Sequence, residues 1–150
     1  MKIVRYTKDQ IDNVIKFELD LRKEVPDWGW EINEDYIKDV KNSFENPRFN
    51  NSISFLAYLD DKVVGRIDAS LIPSHFDGGI KAYLDWICVL KSYRHQGVGQ
   101  ALMKNLRETL RKEFNIDTLI GLIASNDEAQ RFYKSLENSM IRDQGIWIDC

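Results

Sequence analysis

Hydrophobic and polar positions change their period several times along the chain, and each change predicts an element. Lys2-Ile3-Val4-Arg5-Tyr6 alternates as a short strand does. Thr7-Lys8-Asp9-Gln10 has the make-up of a capping box, in which Thr and Gln satisfy each other's free backbone N–H groups, so a helix begins there. Ile11, Val14, Ile15, Glu18 and Leu19 follow at helical spacing until Pro26, whose missing N–H ends the pattern. Asn33 can cap a second helix carrying Tyr36, Ile37, Val40 and Phe44, which stops before Asn46-Pro47.

From residue 52 the pattern becomes that of strands. Ser52 to Leu59 and Lys62 to Ile72 read as an antiparallel pair around a tight turn at Asp60-Asp61. After the turn-rich stretch from Pro73 to Gly79, Ile80 to Leu90 is an apolar run with β-branched and aromatic residues that suits a central strand. Gly97 onward is helical, with Val98, Ala101, Leu102, Leu106 and Leu110 on one face and Lys104, Arg107, Glu108 and Arg111 mainly on the other. Thr118 to Ala124 reads as another buried strand, Asn126 caps a helix with Ala129, Phe132, Tyr133 and Leu136, and Met140 to Asp149 can make a last hairpin through Asp143-Gln144-Gly145. The order β, α, α, β, β, β, α, β, α, β, β is that of an α+β domain, and the 150 residues fit a single one, residues 1–150.

Composition narrows the function classes. Hydrophobic residues make up 43% and charged residues 30%, with only 8 Gly and 3 Pro, so the chain folds as a globule. The net charge is -3 and no basic block tracks a phosphate backbone, which argues against a nucleic-acid partner. The first residues lack an apolar signal core, and no apolar run approaches the roughly 18 residues of a membrane span, so no membrane partner and a cytoplasmic location are expected. Cys88 and Cys150 form neither a disulfide framework nor a metal-spaced pair, and His75 and His95 read as loop residues, so no metal is expected.

The chemistry concentrates in Val89-Leu90-Lys91-Ser92-Tyr93-Arg94-His95-Gln96-Gly97-Val98-Gly99-Gln100. A strand ends, a short loop follows and a helix starts, so several backbone N–H groups converge at the positive end of a helix dipole and form an anion cradle. Gly97 and Gly99 lack a Cβ, which lets a phosphate approach the backbone, and Arg94 can add a charge-assisted contact. The bland alternative is a capped helix with incidental glycines.

Arg94-x-x-Gly97-x-Gly99, followed by Asn126-x-x-Ala129-x-x-Phe132-Tyr133, resembles the acetyl-coenzyme A signature of the GNAT family of N-acetyltransferases, and the element order resembles that family over nearly the whole chain. The resemblance implies a mixed, mostly antiparallel sheet of six to seven strands flanked by about four helices, with a splayed central strand pair. The cosubstrate it implies is acetyl-CoA, with no metal. Gln96, Gly97, Val98 and Gly99, with Arg94, would hold the pyrophosphate. Ile87, Cys88 and Val89 would pair by main chain with the pantetheine arm. Asn126 would lie near the pantetheine, as well as or instead of simply capping its helix. Tyr133 would face the thioester sulfur, its alternative being a core aromatic beside Phe132. Where relatives have Leu-Gly-Phe at the end of that helix, this chain has Leu136-Glu137-Asn138, which puts the following strand in question.

A narrower resemblance concerns the acceptor. Ala69-Ser70-Leu71, Asp77-Gly78-Gly79 and Tyr83-Leu84-Asp85-Trp86-Ile87-Cys88-Val89-Leu90 are similar to the matching stretch of aminoglycoside 6'-N-acetyltransferases. Asp85 would take their acidic position, and Trp86 replaces their glycine, which would narrow or reshape the substrate mouth. Independently, Phe17 to Glu45 holds nine acids against four bases. With Trp28, Trp30, Glu31 and Tyr36 in it, that segment suits a polycationic or sugar-amine ligand by charge pairing and cation–π contact, or else forms two solvated helical faces with Trp packed at a turn.

Acetyl transfer to an amine needs a neutral nitrogen, yet an amine with a lysine-like pKa of about 10.4 is neutral only about once in a few thousand molecules at pH 7. Asp85 can take the proton, directly or through a water, or can instead only bind the ammonium. Backbone N–H near Val89 would stabilise the oxyanion and Tyr133 would protonate the leaving thiolate, with no acyl-enzyme. Cys88 has no base at a useful spacing and reads as packing. The expected partner is a small-molecule amine. Polyamines, other metabolites and protein N-termini remain open as acceptors, as does a silent acetyl-CoA sensor. The apolar Gly145-Ile146-Trp147-Ile148 can pair between two copies of the chain as a homodimer edge.

Overall fold

The computed structural model describes residues 1–26 and 29–150. Strand β1 (Lys2–Arg5) leads into a single 3-10 turn at Lys8–Gln10 and helix α1 (Ile11–Glu24). The turn is built by the capping-box residues: Gln10 Oε1 accepts the Thr7 N–H at 2.7 Å and the Thr7 hydroxyl at 2.9 Å. Helix α2 (Glu34–Ser43) starts as its sequence predicts, with Asn33 Oδ1 accepting the Tyr36 N–H at 2.9 Å.

Strands β2 (Ser52–Leu59), β3 (Lys62–Pro73) and β4 (Ile80–Val89) form an antiparallel meander. Asp60 and Asp61 both take positive φ, 46° and 61°, the handedness a two-residue hairpin needs. Helix α3 (Val98–Phe114) follows β4, then the short β5 (Leu119–Gly121) and helix α4 (Asp127–Lys134). The strands form one five-stranded sheet in the order β1-β2-β3-β4-β5.

The two faces of the sheet carry different chemistry. A Cβ at Gly65 would meet Val98 at 3.0 Å and Leu102 at 3.1 Å, so α3 lies on that face, close enough that only glycine fits without a shift. On the α1 face, Tyr6, Val14, Phe17, Leu21 and Leu56 make the core. A polar layer is set into it, because strand alternation sends Arg66 and Asp68 to the side opposite Gly65. Glu18 is 0% exposed, and its carboxylate pairs with Arg22 on the same helix and with Arg66 at 3.3 Å. Arg66 in turn pairs with Asp68 at 2.7 Å, and Asp68 accepts the Ser54 hydroxyl at 2.5 Å.

The chain clusters into two compact units, residues 1–120 and 121–150. In the second, α4 is capped by Asn126, whose Oδ1 accepts the Ala129 N–H at 2.9 Å, and is closed by the Ser139 hydroxyl on the Tyr133 and Leu136 carbonyls, both at 2.8 Å.

The expectation of six to seven strands is corrected to five among the described residues, and that of a strand over Thr118 to Ala124 to three residues. No strand forms between Met140 and Asp149. Where the family has an apolar residue, Asn138 turns the chain at φ 56° and buries nothing, and residues 137–150 are all exposed. Without a buried face, the two apolar runs around Asp143-Gln144-Gly145 have no packing to favour strands. Among the described residues no helix is long and apolar enough to cross a membrane.

Candidate active site

Register places Asp85. Asp68 pairs with Trp86 and Ala69 with Leu84, so Asp85 is the extra residue of a β-bulge in β4, opposite no partner on β3. Without the bulge Leu84 and Trp86 would share a face; with it, Leu84 pairs on the Gly65 side and Trp86 on the Arg66 side. Asp85 is fixed by Ser70, whose hydroxyl donates to Oδ2 at 2.7 Å. Partial burial pushes its carboxyl above the usual aspartate range, against the pull of the Ser70 hydrogen bond and with a small addition from Asp68.

Next to Asp85, Trp86 is half-buried. Its ring lies 6.2 Å from that of Trp30, which lies 6.1 Å from Tyr36. The Arg66 guanidinium sits between the Tyr6 and Trp86 rings, 5.1 and 5.7 Å from their centroids. Trp86 is therefore a packed wall of the α1–α2 face. Trp30 is 49% exposed, and its carbonyl accepts Arg22 Nε at 3.0 Å. Trp28 lies outside the described residues.

Of the acidic segment, Glu18 is buried in its ion pairs, Asp20 pairs with Lys23 and Lys62, and Glu24 bonds the main chain at Lys91. Glu31, Glu34 and Asp35 are exposed. Glu34 and Asp35 occupy the first turn of α2, where the helix dipole favours acids, so the structural and ligand-facing readings of those two coincide.

The loop after β4 is the second half of the site. Ile87, Cys88 and Val89 pair along one edge with Ile67, Arg66 and Gly65. Burial pushes the Cys88 thiol up to about 11, which leaves it a protonated packing group at neutral pH. A 3-10 turn spans Lys91–Tyr93, and Arg94 Nε donates to the Val89 carbonyl at 3.0 Å, bracing the loop against the strand end. Gln96 Nε2 donates to the Ser92 carbonyl at 3.2 Å. Gly97 caps α3 at φ 80°, a conformation that favours glycine, and a Cβ built there would meet nothing within 4 Å. No side chain caps α3, and the N–H groups of its first turn have no partner within the helix. An open, positively polarised backbone cradle of this kind fits a pyrophosphate.

In the second unit Asn126 is an N-cap, as its simpler reading holds. Tyr133 is half-buried beside Phe132, ring centroids 5.1 Å apart, and burial pushes its phenol above the ordinary range. Ser70, Glu24, Arg66 and Asp68 were not assigned roles from sequence. One signal was available: Arg66, Asp68 and Ser70 alternate as a polar stripe on one face of an otherwise apolar strand, and Glu18 occupies the apolar position of a helical repeat.

The candidate site thus joins an interior strand, β4, bulged at an acid, to a helix that starts on a glycine. The chain belongs to the acetyltransferase (GNAT) family, which it matches over residues 18–137. No curated protein sequence matches it. Among solved structures it is similar to an aminoglycoside acetyltransferase from an uncultured soil metagenomic sample in complex with sisomicin (16% identity, TM-score 0.81, covering 99% of this chain and 95% of that one). It is also similar to an aminoglycoside antibiotic 6'-N-acetyltransferase from Acinetobacter haemolyticus (17%, 0.72, 100% and 99%) and to a ribosomal-protein-alanine N-acetyltransferase from Brucella melitensis (13%, 0.74, 100% and 99%). At these identities the likeness is one of fold.

Proposed function

We propose that this acetyltransferase moves the acetyl group of acetyl-coenzyme A to a primary amine by direct attack, and that the acceptor is an aminoglycoside with a free 6'-amine. The observation that carries this reading is Asp85: a bulge carboxylate held by Ser70 beside the aromatic face of Trp86, in a stretch whose sequence resembles that of the aminoglycoside 6'-N-acetyltransferases. The neighbours that act on aminoglycosides support the acceptor class.

When bound, acetyl-coenzyme A supplies the activated acetyl group; the chain's residues do the rest. Gln96, Gly97, Val98 and Gly99 hold the pyrophosphate through main-chain N–H groups. Asp85 binds the ammonium and accepts its proton, and the upward push of burial on its carboxyl makes it a stronger acceptor. Main-chain N–H near Val89 would stabilise the developing oxyanion. Tyr133 delivers a proton to the departing thiolate, and its raised pKa keeps that proton in place beforehand.

The test is thiol release from acetyl-coenzyme A against aminoglycosides, polyamines, amino acids and short peptides. Selective release with aminoglycosides bearing a free 6'-amine is expected. Release confined to peptides or polyamines would transfer the same chemistry to another acceptor, and binding without release to any amine would leave a sensor.

A further inference from the structure

Helix α1 ends on Glu24, whose carboxylate leaves its own helix. Oε2 accepts the Lys91 backbone N–H at 2.6 Å, Oε1 accepts the Ser92 hydroxyl at 3.4 Å, and the Glu24 main-chain carbonyl accepts Lys91 Nζ at 3.2 Å. Lys91 opens the 3-10 turn after β4, and the residue before it, Leu90, provides no side-chain cap. Glu24 thus does from 67 residues away what an N-cap side chain does locally, with a charged acceptor that makes the bond strong.

The bonding continues from that point toward the cradle. The Arg94 N–H donates to the Lys91 carbonyl at 3.2 Å, and Gln96 Nε2 donates to the carbonyl of Ser92, the residue whose hydroxyl Glu24 holds. The residue after Gln96 is Gly97, the cap of α3. Glu24 and Gly97 are therefore joined through two residues of the turn and one side chain.

We propose that Glu24 is a positioning residue for coenzyme A binding: it holds Lys91 and Ser92 so that the main chain from Gln96 to Gly99 presents its N–H groups to the pyrophosphate. The proposal rests on the reading of that loop as the coenzyme A site. Glu24 is not one of the buried residues by which α1 packs, which are Ile11, Val14, Phe17, Glu18 and Leu21.

The experiment compares two ligands on the purified full chain: coenzyme A by calorimetry, and pantetheine, which has the arm but no pyrophosphate, by NMR titration. Replacing Glu24→Ala is expected to weaken coenzyme A about 10-fold, the scale of one charge-assisted hydrogen bond. Pantetheine affinity stays as in wild type. Glu24→Gln, whose amide oxygen still accepts the Lys91 N–H, should recover most of the loss. Glu24→Asp, too short to reach both partners, is expected to behave as Ala does and replaces it if Ala does not fold. Unchanged coenzyme A affinity, or equal weakening of both ligands, overturns the proposal while the coenzyme A site stands. Wild-type protein that binds no coenzyme A removes the site and the proposal together.

Discussion

A carboxylate at a bulge is aimed by the register of two strands, not by its own rotamer alone. Asp85 shows the effect: its neighbours Leu84 and Trp86 keep their pairing to β3, and it alone is left to Ser70. If it is the proton acceptor, Asp85→Asn should lower kcat at neutral pH by about 10²- to 10⁴-fold. The sign of the pH dependence follows from the raised pKa. Wild-type activity should fall as pH drops through that value, because the base becomes protonated, and Asn should lose this acid limb. The gap between variant and wild type should close near pH 10 and above, where a lysine-like amine with pKa about 10.4 is already neutral. A kcat–pH profile checks both, and profiles parallel throughout would leave Asp85 only a binding role. Asp85 was legible in the sequence as an acid within an apolar run. Its bulge was not, because a bulge is a property of the pairing with β3, and Ser70 lies 15 residues away in sequence.

At the level of elements, helices and hairpins were readable wherever a local signal set them: Asn33 and Asn126 cap, Asp60-Asp61 turns, Gly97 starts α3. What joins the elements was not, because Glu18 meets Arg66 and Glu24 meets Lys91 only after the chain has folded. Glu18 leaves Arg22 and Arg66 paired under the aromatic wall, so Glu18→Ala should destabilise by about 3–5 kcal/mol, the cost of breaking a buried ion pair. Urea unfolding measures it; a loss under about 1 kcal/mol would mean that Asp68 alone suffices for Arg66. Gly97 separates backbone from ligand in a different way. Asn tolerates the left-handed conformation, so Gly97→Asn should keep the fold while placing a side chain in the open cradle. Coenzyme A binding should fall at least about 10-fold with Tm nearly unchanged. Full affinity in calorimetry would show that the ligand does not approach Gly97.

For the whole molecule, the sheet is smaller than the sequence pattern implies because periodicity alone does not make a strand. Ile146, Trp147 and Ile148 form a short apolar run that stays 79%, 85% and 72% exposed. The acids of residues 17–45 change their meaning once their partners are known. Glu18, Asp20 and Glu24 are committed to protein contacts, which leaves Glu31, Glu34 and Asp35 as the exposed acids nearest Trp30 in sequence among the described residues. Their field should matter for a polycation and hardly at all for a monocation. Replacing them together with Gln, Gln and Asn should raise KM for sisomicin about 10-fold at low salt and leave kcat unchanged. Wild-type KM should climb with ionic strength, since exposed charges are screened over about 8 Å at 0.15 M, and the triple variant should lose that slope. A monocationic primary amine serves as the control, with equal KM in both proteins. If sisomicin KM and its salt slope do not move, these acids serve only the first turn of α2, and acceptor recognition rests on Asp85 and the aromatic wall.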